Sequence, residues 1–142
     1  MHHLSRSALS RILGCALLLP AIAAWGSDVE VRVQDVAGTK GKVSVAVCDK
    51  EHFLKQCSYS ASAPARAGET TVVVKGVPPG TWAVLAYHDE NANGELDRNL
   101  IGIPKERYGF SRDARSKFGP PGFEDAMIEL GDAPSVTSVR LR

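Results

Sequence analysis

Alternating valines mark where the ordered part of the chain begins. In "VEVRVQDV" (Val29–Val36), Val29, Val31 and Val33 face one way and Glu30, Arg32 and Gln34 the other. That period of two predicts a strand with one face in water. "GTKG" supplies a turn, and "KVSVAVCD" repeats the pattern with Val43, Val45 and Val47 inward. "EHFLKQC" is too short for an independent helix. It reads as one helical turn that packs Phe53 and Leu54 below the cysteines. "SYSASAPARAG" is small and polar and reads as a loop. "TTVVVKGV" predicts a third strand, Pro78, Pro79 and Gly80 a turn, and "WAVLAYHD" a fourth strand. The fourth is apolar on both faces, with Trp82, Val84 and Ala86 opposite Ala83, Leu85 and Tyr87. A strand of that kind is central and covered on both sides.

Beyond it the periodicity stops. The 34 residues from Glu90 to Phe123 are rich in Gly, Pro, Asn and Asp. An irregular stretch of that length inside a domain is either functional or disordered. Tyr108, Phe110, Phe118 and Phe123 are not the composition of disorder. "AMIEL" and "SVTSVRLR" predict two closing strands, with Val136, Val139 and Leu141 as core candidates. Six strands are visible, and a seventh is expected in "NLIGIP". With little helix, this predicts an all-β fold, an antiparallel β-sandwich of about seven strands with a long ordered loop region. The order strand, V-P-P-G-T-W, strand is similar to prealbumin-like and carboxypeptidase-regulatory-like sandwiches, an analogy of fold that carries no function.

The first residues follow a different rule. "MHHLSRSALSR" is polar, with Arg6 and Arg11, and "ILGCALLLPAIAAW" is apolar and ends among small residues. This is the order of a secretory signal peptide, expected over residues 1–26 and cleaved, with cleavage after Ala23, Ala24 or Gly26. The apolar run is short for a bilayer span of about 20 residues, and Pro20 interrupts it, so no membrane span is expected after cleavage. The 142-residue chain then leaves a single domain over 27–142, periplasmic or secreted.

Loss of the leader removes two arginines and no acid, leaving 15 Lys+Arg against 16 Asp+Glu. A near-neutral chain without a basic run has no footprint for nucleic acid. Cleavage also removes Cys15. Cys48 and Cys57 remain, and two cysteines in an exported chain predict a disulfide. The eight residues between them match neither a C-x-x-C redox motif nor common zinc spacing.

Chemistry is concentrated in "YHDENANGELDRN". Asp89, Asn91, Asn93, Gly94 and Asp97 stand at positions one, three, five, six and nine of a calcium-type loop, and Glu95 can offer a backbone carbonyl. The twelfth position, where a bidentate glutamate closes such a loop, is Leu100. A distal acid would have to complete the site, Glu106 first and Asp113 second. The competing reading is a turn of Asx motifs and an Asn-Gly corner that needs no ion. His52 and His88 lack zinc-motif spacing and read as hydrogen-bonded to neighbours. Ser111 in "YGFSRD" has no G-x-S-x-G elbow. Paired acids occur in any chain with 23% charged residues. "RYGFSRDARSKFGPPGF" offers Tyr108, Phe110, Arg112 and Phe118 as a ligand or partner surface, or else as aromatics that hold the loop down.

Three linked motifs carry a family resemblance: Gly80–Ala83, with Trp82 where an aromatic stands; His88–Asp97 followed by Gly102–Ser111; and Pro121–Ala126. Together they resemble the exported bacterial family catalogued as domain of unknown function 2141. The resemblance implies a secreted or periplasmic β-sandwich and no activity. The sequence therefore predicts a non-enzymatic binding or accessory module of the cell envelope, with calcium as its one candidate cofactor. Its partner would be an envelope protein or a small ligand. The alternative is a small metal-dependent hydrolase using Asp89, Asp97 or Glu106.

Overall fold

Strand β1 (Ser27–Val36) is flanked by β4 (Gly68–Val77), antiparallel, and by β8 (Ser135–Arg140), parallel. These three make one sheet, in a computed structural model that describes residues 26–142. The expected leader, apart from Gly26, lies outside the described residues, as does Cys15. The second sheet runs β3 (Tyr59–Pro64), β2 (Lys42–Cys48), β5 (Gly80–Asp89) and β6 (Tyr108–Phe110). In it β7 (Met127–Leu130) also pairs with β5.

The sheets are joined by valines whose alternation is visible in the sequence. Val29, Val31, Val33, Val72, Val74 and Val139 from one sheet meet Val43, Val45, Val47 and Val84 from the other in a single buried cluster. Each buried valine is worth about 1.5–3 kcal/mol relative to an exposed one. The fold is all-β, as expected, with eight strands among the described residues where about seven were expected, and the β1–β8 pair breaks the antiparallel pattern.

Several local expectations are corrected. "SYSASAPARAG" contains a strand, β3, paired residue for residue with β2. Its small side chains gave no hydrophobic signal. An edge strand can be specified by its neighbour's ladder, and Pro64 is tolerated there. "NLIGIP" forms no strand, only an isolated bridge from Arg98 to Pro104. The extra strands are β3 and β6, and β6 is too short to show a period. Val136 is 57% exposed. It lies three positions from buried Val139, which in a strand puts the two on opposite faces. Leu54 is likewise exposed and has a left-handed backbone, whereas Phe53 packs inward.

Strand β5 organises the remainder. Along one edge it pairs with β2, and along the other first with β7, at Gly80–Ala83, and then with β6, at Leu85–Tyr87. At the junction between β7 and β6, the Ser111 hydroxyl accepts from the Val84 N–H at 2.9 Å and donates to the Ala126 carbonyl. One side chain thus continues the ladder where no strand does. Gly109 is required in β6 because a Cβ there would run into the Arg140 carbonyl. Beyond it, Tyr108 and Arg142 exchange backbone hydrogen bonds at 3.0 and 3.3 Å.

Candidate functional site

The site is built on the face of the five-stranded sheet that points away from the valine core. There Ala83 and Leu85 meet Phe53, Phe110, Phe123 and Ala126, a second and smaller apolar cluster. Phe53 packs tilted against Phe110 at 6.0 Å and edge-on against Phe123 at 5.7 Å between ring centroids. The Cys48–Cys57 disulfide is formed, with Cα atoms 4.9 Å apart, and it ties the Phe53 turn to the end of β2. This cover reaches only part of the face. Over Ala46, Leu85, Tyr87, Tyr108 and Phe110 the sheet floors an open groove of about 660 Å³. Its walls are three segments without regular structure: the disulfide turn (Leu54, Lys55), the stretch from Leu96 to Pro104, and the stretch from Ser116 to Pro120.

The acidic loop begins where β5 ends. Asp89 is fully buried; its Oδ1 accepts from the Asn93 N–H at 3.1 Å, its Oδ2 from the Gly94 N–H at 2.8 Å, and Lys42 Nζ stands 4.0 Å from Oδ2. Gly41 turns beneath it with a positive φ, and a Cβ there would strike the Asp89 carbonyl. The amides of Asn91 and Asn93 donate to the two oxygens of Asp97 at 2.6 and 2.8 Å. Their own side-chain oxygens accept backbone N–H groups, Asn91 from Asn93 and Asn93 from Glu95. Glu106 does fold back: Oε1 accepts from the Glu90 N–H and Oε2 from the Asp97 N–H, both at 3.1 Å. The Glu95 side chain makes no hydrogen bond within the loop among the described residues. Asp113, the other candidate closing acid, instead forms ion pairs with Arg142 at 2.6 Å and Arg115 at 3.0 Å. Among the described residues, no three His, Cys, Asp or Glu side chains gather as a metal-binding group.

The other candidates separate cleanly. His88 is buried, and its Nε2 donates to the Lys40 carbonyl at 2.7 Å. Its Nδ1 has no hydrogen-bond partner and stands 3.9 Å from Glu90 Oε1. The ring and backbone N–H of His52 both meet Asp49 Oδ1, at 2.7 and 2.8 Å. The backbone contact first, then the ring, hold the Asp49 carboxyl below its ordinary range. Ser111 is a buried structural group. Of the proposed ligand surface, Tyr108 and Phe110 line the groove. Arg112 is turned to the Glu124 carbonyl at 3.2 Å. Phe118 is 91% exposed, so it does not hold the loop down.

A family profile described as an uncharacterized protein conserved in bacteria matches residues 31–138, well over half of the chain. The chain belongs to the DUF2141 family. Nothing among the curated proteins, or among the solved structures, matches it. The matched span takes in most of both sheets, the acidic loop and every wall of the groove.

Sequence reasoning missed the groove as such and its lining residues Lys55 and Ile103, although Lys117 lies in the stretch read as a ligand surface. A signal was present. Leu85 and Tyr87 ask for cover on the second face of β5, and the segments after them supply too few apolar side chains in register to cover it all. Tyr87 links groove and loop. Burial pushes its phenol above the ordinary value, and the nearby acids Asp89, Glu106 and Glu95 push it the same way, against a hydrogen bond with Ser44.

Proposed function

We propose that the protein is an exported, non-catalytic binding module of the cell envelope, and that its ligand lies in the groove on the outer face of the five-stranded sheet. The observation that carries this reading is the partly open apolar floor at Ala46, Leu85, Tyr87 and Tyr108, set between irregular walls, with buried Phe110 at its edge. Its size falls within the roughly 300–1,000 Å³ of small-molecule sites, which favours a small ligand over a protein partner. The hydrolase alternative would need acids facing an open pocket. Asp89, Asp97 and Glu106 turn instead onto local N–H groups, which supports a binding role. Nile red, a neutral apolar dye, should brighten on the folded protein with one-to-one stoichiometry, and Leu85→Glu should abolish the signal. A folded protein that leaves the dye dark sinks the reading.

In this proposal the acidic loop leads into the Leu96–Pro104 wall of the groove, holds itself together and takes calcium only weakly. Asp97 is its anionic centre, and the amides of Asn91 and Asn93 already converge there. Turning those amides over would present oxygen in place of nitrogen, adding to the carboxylates of Asp89 and Glu106 and the Glu95 carbonyl. Since the loop is satisfied without an ion, an affinity of about 10⁻⁴–10⁻³ M is expected, as in extracellular modules. Millimolar calcium should raise the melting temperature and chelator should reverse it, with no such rise in Asp97→Asn. A melting temperature indifferent to calcium removes the metal from the proposal and leaves the groove.

A further inference from the structure

The groove has a chemical bias. Its lining includes three cations, Lys55, Arg98 and Lys117, one from each wall, and no carboxylate at all. Arg98 is partly occupied, donating to the Gly102 carbonyl of its own loop at 3.0 Å. Lys55 and Lys117 are exposed, and neither forms an ion pair among the described residues. Lys40, Arg66, Lys75, Lys105, Arg107 and Arg112 are also exposed without an ion pair among the described residues, so what distinguishes Lys55 and Lys117 is their place in the groove lining. Some surface cations are already engaged. Lys50, Arg32, Arg115, Arg140 and Arg142 each hold a carboxylate. The floor between the two lysines is apolar and aromatic, and exposed Leu54, Ile103 and Phe118 extend it at or beside the walls.

An apolar floor beneath unpaired cations selects a ligand with an apolar body and a negative charge. We propose that the groove binds a single-chain fatty carboxylate. Its alkyl chain would lie over Leu85, Tyr108 and Phe110, and its head group would be met by Lys55 and Lys117. Two features place the charge. Lys55 belongs to the disulfide turn, and Cys48 pairs with Ala83 at one end of the sheet. The acids that follow Asp89 stand at the other end, where Lys42 pairs with Asp89. An anionic head is repelled from the acidic end and drawn to Lys55.

This inference rests on the groove reading above, and the two fail differently. Isothermal titration of the full folded protein would compare dodecanoate, dodecyl maltoside and dodecyltrimethylammonium, each below its micellar concentration. Dodecanoate should bind one-to-one and about tenfold or more tighter than the neutral and cationic probes. Lys55→Glu with Lys117→Glu should erase that preference while leaving the melting temperature of the free protein unchanged, since both side chains are exposed. Ile103→Glu, also at an exposed position, should weaken all three probes. If all three bind equally and the double reversal changes nothing, the carboxylate assignment is wrong and the groove reading stands. If none binds, both are wrong.

Discussion

Ser111 shows how much a single buried hydroxyl can carry. It bridges the Val84 N–H and the Ala126 carbonyl at the gap between β7 and β6 along the outer edge of β5. Replacing it with alanine leaves a buried donor and acceptor without partners, at about 1–3 kcal/mol for a group so stranded. Urea unfolding of Ser111→Ala should show that loss without a change in denaturant slope. In the sequence, Ser111 was one more serine beside an arginine, and its role rests on contacts with residues far along the chain. Asp89 is the opposite case. Its position in D-x-N-x-N-G left a calcium ligand and an Asx turn as competing readings, and its carboxylate gathers the Asn93 and Gly94 N–H groups. Val136 shows the limit of composition alone. A β-branched residue in a strand is core only when its parity matches its neighbours, and Val139 and Leu141 set that parity against it.

Among the elements, those with a strong period were legible, namely β1, β2, β4, β5 and, in outline, β7 and β8. The others owe their structure to partners. β3 is drawn out by the β2 ladder, and β6 is three residues held between β5 and the Arg142 backbone. The loop after Asp89 lies between these cases. Its local turns were readable from Asn and Gly, while its closure by Glu106 depends on a residue nine positions beyond Asp97. Glu106→Gln tests that closure. The glutamine amide nitrogen cannot accept, so one of the Glu90 and Asp97 N–H groups loses its partner. Hydrogen exchange should quicken at those two amides while exchange in β1 and β2 stays as before. Equal protection in the variant would show that the loop holds without the clasp.

For the whole molecule, the two sheets followed from alternation, whereas the groove did not, because it is defined by what fails to cover β5. The disulfide spans both scales. It fastens the Phe53 turn over the outer face and closes a short loop, worth about 2–3 kcal/mol on the chain-entropy argument. Reducing Cys48–Cys57 should lower unfolding stability by about that much and also loosen dye binding in the groove, since Leu54 and Lys55 form one of its walls.

The placement of β1 bears on the order of assembly. Its two neighbours are β4 and β8, and it pairs with β8 from Val29↔Ser135 to Gln34↔Arg140. Contacts between such distant parts of a chain close slowly. While the polypeptide is being made, the valines of β1 have no complete sheet to join until the final strand emerges. The sheet of β2, β3 and β5 draws on nearer segments and can form first. Deleting β8 should therefore leave a collapsed chain with an unfinished three-stranded sheet, and the time-limiting event in refolding should be the docking of the last strand beside the first.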